Sequence, residues 1–387
     1  MPYPLSEVQQ EMQGVVRAFA RNEVMPGAAE RDRTGEFPAD LVRRLGELDA
    51  MGICLPERFG GLGLDSQTQL LAIEQVAYAD AALASIYTAH FLALEVILGY
   101  ASEEQKERFL PAMADGTALG AFALTEPDSG SDIGGMATSA RRHGEAWSLS
   151  GGKTFISNAA DAGVIVVFAK TDPGAGFRGI SAFVVDPQAE GISFSAPQDK
   201  CGIRSAATYS VFFDDLRLED DRVIGDLGAG GKMALSALNG ARIDIAAMAN
   251  GIAMRALDLA EGFATSRVQF GSKIRDFQAI QLMLGEMDAE VEVARLTAWW
   301  AAAEKDAGRD LRRAGSIAKF VASENCFSVV DKAVQIHGGA GFMRESEIER
   351  LYRDARVLRI FEGTSQIQLM TIAGVLASTY DRLGALA

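Results

Sequence analysis

The hydrophobic rhythm of the chain changes twice. In Ser6 to Phe19, Ala39 to Met51, Gln67 to Ala77 and Glu103 to Met113, apolar residues recur at helical spacing between polar breaks. A Gly60-Gly61-Leu62-Gly63 run reads as a turn among them. Between Gly120 and about Arg222 the text shortens into β-branched and aromatic runs. Gly163 to Ala169, Ile180 to Val185 and Tyr209 to Phe213 are parted by Gly, Asp and Pro, as strands of an antiparallel sheet or barrel are. No proline follows Pro197, and from Gly231 onward Ala, Met, Leu, Glu and Arg dominate. Arg242 to Phe270 reads as one long helix with alanine on nearly every face, buried in a bundle. A stop at Phe270-Gly271-Ser272 and a restart after Asp276 predict a second helix through Gln281, Met287 and Val293, with others after Asp310 and Glu345. The order is helical, β, helical, with domains expected over residues 1–118, 119–226 and 227–387. No repeat or low-complexity linker separates them, so they are expected to pack as one unit.

Composition narrows the function. A chain of 387 residues exceeds one ordinary core, and a net charge of −15 with a pI near 4.8 offers no dense basic patch for nucleic acid. Cys54, Cys201 and Cys326 form no CxxC pattern and read as reduced, mostly buried thiols. His90, His143 and His337 are scattered, which indicates neither a metal site nor a Ser-His-Asp triad. His337 is expected to pack or to bond backbone. Met1 to Ala20 carries Glu7 and Glu11 and no uninterrupted apolar core, so no membrane insertion is expected and the cytoplasm is the expected location.

Candidate chemistry lies near the C-terminus. Glu362 follows Leu358, Ile360 and Phe361 and precedes Gly363, a setting that desolvates a carboxylate, raises its pKa and suits it to act as a base. A helix end or turn has the same local wording. Far upstream, Thr125-Glu126-Pro127-Asp128-Ser129-Gly130-Ser131-Asp132 is followed by Lys153-Thr154-Phe155-Ile156-Ser157-Asn158. No strand leads into a Gly-x-Gly-x-x-Gly turn, which argues against a nicotinamide site. The three motifs, in this order, resemble the acyl-CoA dehydrogenase family, and the resemblance runs from about Pro4 to about Ser378.

That resemblance implies the remaining expectations. The fold would be a helical N-terminal domain, a middle β-barrel or sheet and a C-terminal four-helix bundle. FAD would be the cofactor, an acyl-CoA thioester the substrate and an electron-transfer flavoprotein the acceptor, in a homotetramer built as a dimer of dimers. Glu362 would take the α-proton; some branches place the base immediately before the arginine matching Arg242, where this chain has Ala241. Phe122, Leu124, Thr125 and Ser131 would meet the flavin, with Phe155 against its ring and Ser157 facing its reactive nitrogen. Phe155 stands where many relatives carry tryptophan. Arg267, Gln269, Phe270 and Gln278 match the segment with which a neighbouring subunit closes over the cofactor, Arg267 meeting the pyrophosphate. Gln335, Gly338 and Gly339 match a glycine-rich turn reaching the adenine half across the dimer, and Thr364 and Gln366 also match cofactor positions. Ser131, Asn239, Arg242 and Gly363 would hold the substrate. Asn239 also suits a helix N-cap, and Arg267 a surface arginine at a helix end. Ala84 to Thr88 lines up with the helix that ends the acyl pocket. An oxidase or monooxygenase on the same scaffold, and a catalytically silent acyl-CoA-binding flavoprotein, remain alternatives at this point.

Overall fold

The computed structural model describes residues 4–384; residues 1–3 and 385–387, the outer ends of the first and third expected domains, lie outside the described residues. The N-terminal helices are α1 (Glu7–Phe19), α2 (Ala28–Thr34), α3 (Ala39–Glu47), α4 (Ser66–Ala79), α5 (Ala81–Tyr100) and α6 (Glu103–Ala114). Side-chain chemistry sets the starts of α1, α6 and α4: Ser6 with Gln9, and Ser102 with Gln105, form reciprocal capping boxes, and Asp65 caps α4 through the Thr68 amide. Helix α5 has no polar face to mark it in the sequence. It is long and apolar enough to cross a membrane by length and composition, yet 83% of its apolar window is buried inside the protein.

The middle region is one eight-stranded sheet of β1 (Gly120–Ala123), β2 (Ser139–His143), β3 (Ala146–Ser157), β4 (Val164–Lys170), β5 (Ile180–Val185), β6 (Ile192–Phe194), β7 (Thr208–Glu219) and β8 (Val223–Ile224). The path runs β6-β7-β3-β2-β4-β5-β8, and β1 pairs with β4. The sheet is mixed, which corrects the purely antiparallel expectation: β1 lies parallel to β4, with Gly120 opposite Val164, and β2 meets β4 in parallel at Ser139 and Lys170. Parallel entry is possible because the chain between β1 and β4 passes through β2 and β3 before returning. Strand β4 is apolar throughout because both faces are covered. Val164, Val166 and Phe168 pack with Leu92 and Ala237 on the helical side, while Ile165, Val167 and Ala169 pack with Trp147 and Phe183 on the other.

The C-terminal part comprises α7 (Gly230–Ser266), a hairpin of β9 (Val268–Gln269) and β10 (Ser272–Lys273), α8 (Gln278–Asp306), α9 (Leu311–His337), α10 (Glu347–Ala355) and α11 (Ser365–Gly384). Helix α7 begins twelve residues before the expected Arg242 and stops short of Phe270. Phe270 and Gly271 instead make the left-handed turn of the hairpin, at φ 49° and 81°. Helices α4, α5, α7, α8 and α9 share one hydrophobic core, so the two helical parts are continuous. Gly251 on α7 permits the contact, since a Cβ there would stand 2.4 Å from the Glu74 carbonyl oxygen on α4.

Candidate active site

A cavity of about 900 Å³ opens where the sheet, α5, α7 and the segment before α11 converge. Its sheet wall contains a strained stretch of backbone. Strand β3 pairs regularly with β7 up to Lys153, then shifts register before Ile156. In this bulge Phe155 takes φ 60° and presents a ring that is 66% exposed. Glu126, buried in the loop after β1, accepts the Lys153 Nζ at 2.7 Å and the amides of Ala137 and Thr138 at 2.6 and 3.1 Å. Lys153 Nζ also donates to the Leu124 carbonyl at 3.0 Å, and the Thr154 amide to the Thr125 carbonyl at 2.9 Å. One buried ion pair thus ties the two upstream motifs together. Burial alone would raise the Glu126 carboxyl, but the Lys153 charge and the amides hold it below its ordinary range; burial pushes the Lys153 amine down to about 8, against the pull of Glu126.

The opposite wall carries Glu362. The segment after α10 ends in two left-handed residues, Glu362 at φ 54° and Gly363 at φ 87°. A non-glycine residue at such a φ costs about 1 kcal/mol or more and persists only where its surroundings hold it. Gln368 Nε2 donates to both carbonyls, at 3.2 Å to Glu362 and 2.9 Å to Gly363, and Lys319 Nζ donates to that of Gly363 at 2.7 Å. The residue edges the cavity while its carboxyl Oε2 is buried and has no hydrogen-bond partner. Burial raises its pKa to about 7, with Asp244 and Glu95 adding to the rise and Lys319 and Arg242 opposing it. Arg242 is buried beside it, Nη1 donating to Asn239 Oδ1 at 2.7 Å and to Ser316 Oγ at 3.0 Å.

The cavity gathers Phe122, Leu124, Thr125, Ser131, Phe155, Ser157, Arg242, Glu362, Gly363 and Thr364 from the sequence-predicted set. Asn239 is not at its wall. It lies well inside α7, so it is no N-cap, and its amide oxygen orients Arg242 instead. Thr364 Oγ1 caps α11 by accepting the Ile367 amide, while Gln366 is exposed and outside the cavity. Arg267, Gln269, Phe270 and Gln278 sit on the exposed hairpin and the start of α8; Gln335, Gly338 and Gly339 sit at the exposed end of α9. None of these seven touches the cavity of its own chain. The two groups share one end of the bundle, where Phe263 stacks on His337 at 4.5 Å between ring centres and the His337 Nδ1 lies 2.7 Å from the Ala333 carbonyl oxygen.

Sequence reasoning missed several residues. Ala89 and Leu92, not Ala84 to Thr88, reach the cavity from α5. The earlier five are buried in the helical core. Cys201 is exposed and lines the cavity with Lys200, Arg353 and Arg356, which corrects its expected burial. Lys319 and Gln368 lie outside every motif quoted above, and only a polar residue at a core-facing helical position signals them.

Comparison with known proteins decides the family. The N-terminal, middle and C-terminal domains of acyl-CoA dehydrogenases match residues 6–117, 121–216 and 228–377. The chain belongs to the acyl-CoA dehydrogenase family. The short-chain specific acyl-CoA dehydrogenase of Bos taurus mitochondria is 40% identical over 377 residues, covering 97% of this chain and 92% of that protein. A 3-(aryl)acrylate reductase of Clostridium sporogenes is 39% identical over 373 residues, covering 96% and 99%. The solved structure of butyryl-CoA dehydrogenase from Megasphaera elsdenii superposes with a TM-score of 0.96 at 36% identity, covering 97% of this chain and all of that one. The fold is that of the family, and the protein is an FAD-dependent oxidoreductase of the acyl-CoA dehydrogenase type.

Proposed function

We propose that the protein desaturates a saturated acyl-CoA between the α and β carbons, with Glu362 as the base. The observation that carries this reading is the buried Glu362 Oε2, which has no partner in a carboxyl whose pKa stands at about 7. A general base works best with a pKa near the working pH. Ala241 holds the alternative base position and cannot serve.

The residues present fit FAD. The hydroxyls of Thr125, Ser131 and Ser157 and the Phe155 ring line one wall of a cavity large enough for a planar ring system beside an acyl chain. When bound, the flavin supplies the hydride acceptor at the β carbon. The chain's own residues do the rest. Glu362 removes the α-proton, its backbone amide holds the thioester oxygen, Arg242 keeps the carboxylate's surroundings charged and ordered, and the apolar walls of Leu92, Leu238 and Phe361 exclude water. The relatives named for short-chain and butyryl substrates support a short acyl group, and Ala89 with Leu92 would end its pocket. Electrons would pass to an electron-transfer flavoprotein. The domains 1–118, 119–226 and 227–387 would assemble as a dimer of dimers, with Arg267, Gln269, Phe270, Gln278, Gln335, Gly338 and Gly339 reaching a neighbour's cofactor. Phe270 and Phe342, 96% and 82% exposed at that end, suit such burial.

The test is anaerobic titration of the yellow protein with straight, branched and aromatic acyl-CoAs while flavin absorbance is followed. Bleaching by one subset is expected, and no bleaching by any sinks the reading. The aryl-acrylate reductase relative favours a second reading, reduction of an α,β-unsaturated acid or thioester. Reoxidation of the pre-reduced flavin by enoyl or aryl-acrylyl compounds, without bleaching by saturated ones, would favour it.

A further inference from the structure

Lys319 on α9 is fully buried, a costly place for an ammonium. Its hydrogen bond does not explain it. The Gly363 carbonyl that it meets at 2.7 Å already accepts the Gln368 amide at 2.9 Å, so a neutral donor would satisfy the turn. What a lysine adds is charge. Five residues further along α9, the Glu324 carboxylate accepts Ser365 Oγ at 2.5 Å and Arg359 Nε at 2.9 Å. Helix α9 therefore grips the chain before and after Glu362, in the stretch whose left-handed backbone most needs holding.

The geometry points to Lys319 as the positioning residue of the base: it fixes the left-handed Glu362-Gly363 turn and sets a buried positive charge beside the Glu362 carboxylate. This inference rests on the reading of Glu362 as the base. Glu362 is faced by Lys319 from α9, by Arg242 and Asp244 from α7 and by Glu95 from α5. Lys319 is faced by Glu362, Arg242 and Glu324, and burial lowers its amine to about 8, so it stays largely protonated at pH 7. Arg242 is anchored by Asn239 and Ser316 independently of Lys319. Lys305 on α8 is engaged by Glu95 and faces Asp244, so removing Lys319 leaves Arg242 as the cation acting on Glu362 itself, and ionisation of Glu362 moves to higher pH.

The test compares wild type with Lys319→Met, Lys319→Gln and Lys319→Arg as FAD-loaded enzymes. Anaerobic flavin bleaching by butyryl-CoA is followed across the acid limb of the pH profile. Independently of turnover, calorimetry in two buffers reads proton uptake on binding a non-oxidisable thioether analogue. In either neutral variant the limb and the proton-uptake midpoint are expected to move up by about one pH unit, about a tenfold loss of rate below pH 7. Lys319→Arg should keep the wild-type midpoint. Neutral variants that retain FAD and superimpose on wild type overturn the inference. If neither neutral variant retains FAD, a folded Lys319→Arg with the wild-type limb supports it, and failure of all three overturns it in favour of a packing lysine. Absence of bleaching in wild type, or wild-type bleaching in Glu362→Gln, would instead sink the base assignment itself.

Discussion

Two buried glutamate–lysine pairs face each other across the cavity, and they are built in opposite ways. Glu126 touches Lys153 at 2.7 Å and takes two backbone amides besides. Glu362 has its lysine held off on the next carbonyl and one carboxyl oxygen left without a partner. The first carboxyl is held below its ordinary range, the second raised to about 7. Residue types are the same, so the role is decided by how fully each carboxyl is enclosed and by which donors reach it. A carboxylate met by three donors becomes a rivet, and one left with an unpartnered buried oxygen becomes a base.

The largest way to break this comparison is to remove the base. Glu362→Gln should keep FAD and bind acyl-CoA while flavin bleaching slows by about 10³-fold or more, as expected when the only proton acceptor is lost. Stopped-flow bleaching beside FAD stoichiometry checks it, and a near-normal rate would return the turn to a structural role. On the opposite wall, Glu126→Gln should chiefly cost stability. Breaking one side of a buried pair strands the other charge, worth about 3–5 kcal/mol, and here also loosens Thr125 and Phe155. Urea unfolding and FAD retention should fall together in Glu126→Gln, and the Glu126→Gln/Lys153→Met double variant should recover part of the loss. Intact FAD binding in the single variant would show that the rivet is dispensable.

How much of this contrast was legible in the sequence differs by wall. Thr125, Phe155, Ser157 and Glu362 were readable because each sits in a short motif whose residue types serve one chemistry. The pairing of Glu126 with Lys153 was hidden, since the two are parted by β2 and joined only when β3 folds back. Lys319 was hidden for a different reason: a lysine in an alanine-rich helix reads as a solvated face until the neighbouring helices bury it. Helix α5 was only partly read because a segment apolar on all sides has no amphipathic period, and the register by which Ala89 and Leu92 face the cavity is set by tertiary packing. The early start of α7 at Gly230 was missed because two glycines discourage a helical reading. They are tolerated there because a Cβ at Gly230 would stand 2.6 Å from the Ser181 carbonyl carbon.

The smallest expected effect sharpens the comparison, because it inverts the usual cost of losing a buried group. The Glu362 carboxyl rises from an ordinary 4.5 to about 7 in the folded protein. Between those values the folded state binds more protons than the unfolded one, so stability falls as pH rises. Below 4.5 both states are protonated and the group costs nothing. Above about 7 the folded protein carries the full penalty of a buried, incompletely paired carboxylate, at most about 3.5 kcal/mol at about 1.4 kcal/mol per pH unit. Glutamine has no such penalty. Glu362→Gln should therefore melt higher than wild type at pH 8 by a few degrees, with the gap closing toward pH 5, when both are scanned as FAD-loaded protein. Asp244, raised to about 7 mainly by burial, faces Glu362, so removing the Glu362 charge also eases ionisation of Asp244 and adds to the gain with the same sign. Glu126→Gln should show no such gain at any pH, because its carboxylate is stabilised by folding and its loss costs most where it is ionised. A Glu362→Gln protein that melts lower than wild type at pH 8 would mean that the turn depends on the carboxylate, and that the two walls are more alike than their hydrogen bonds indicate.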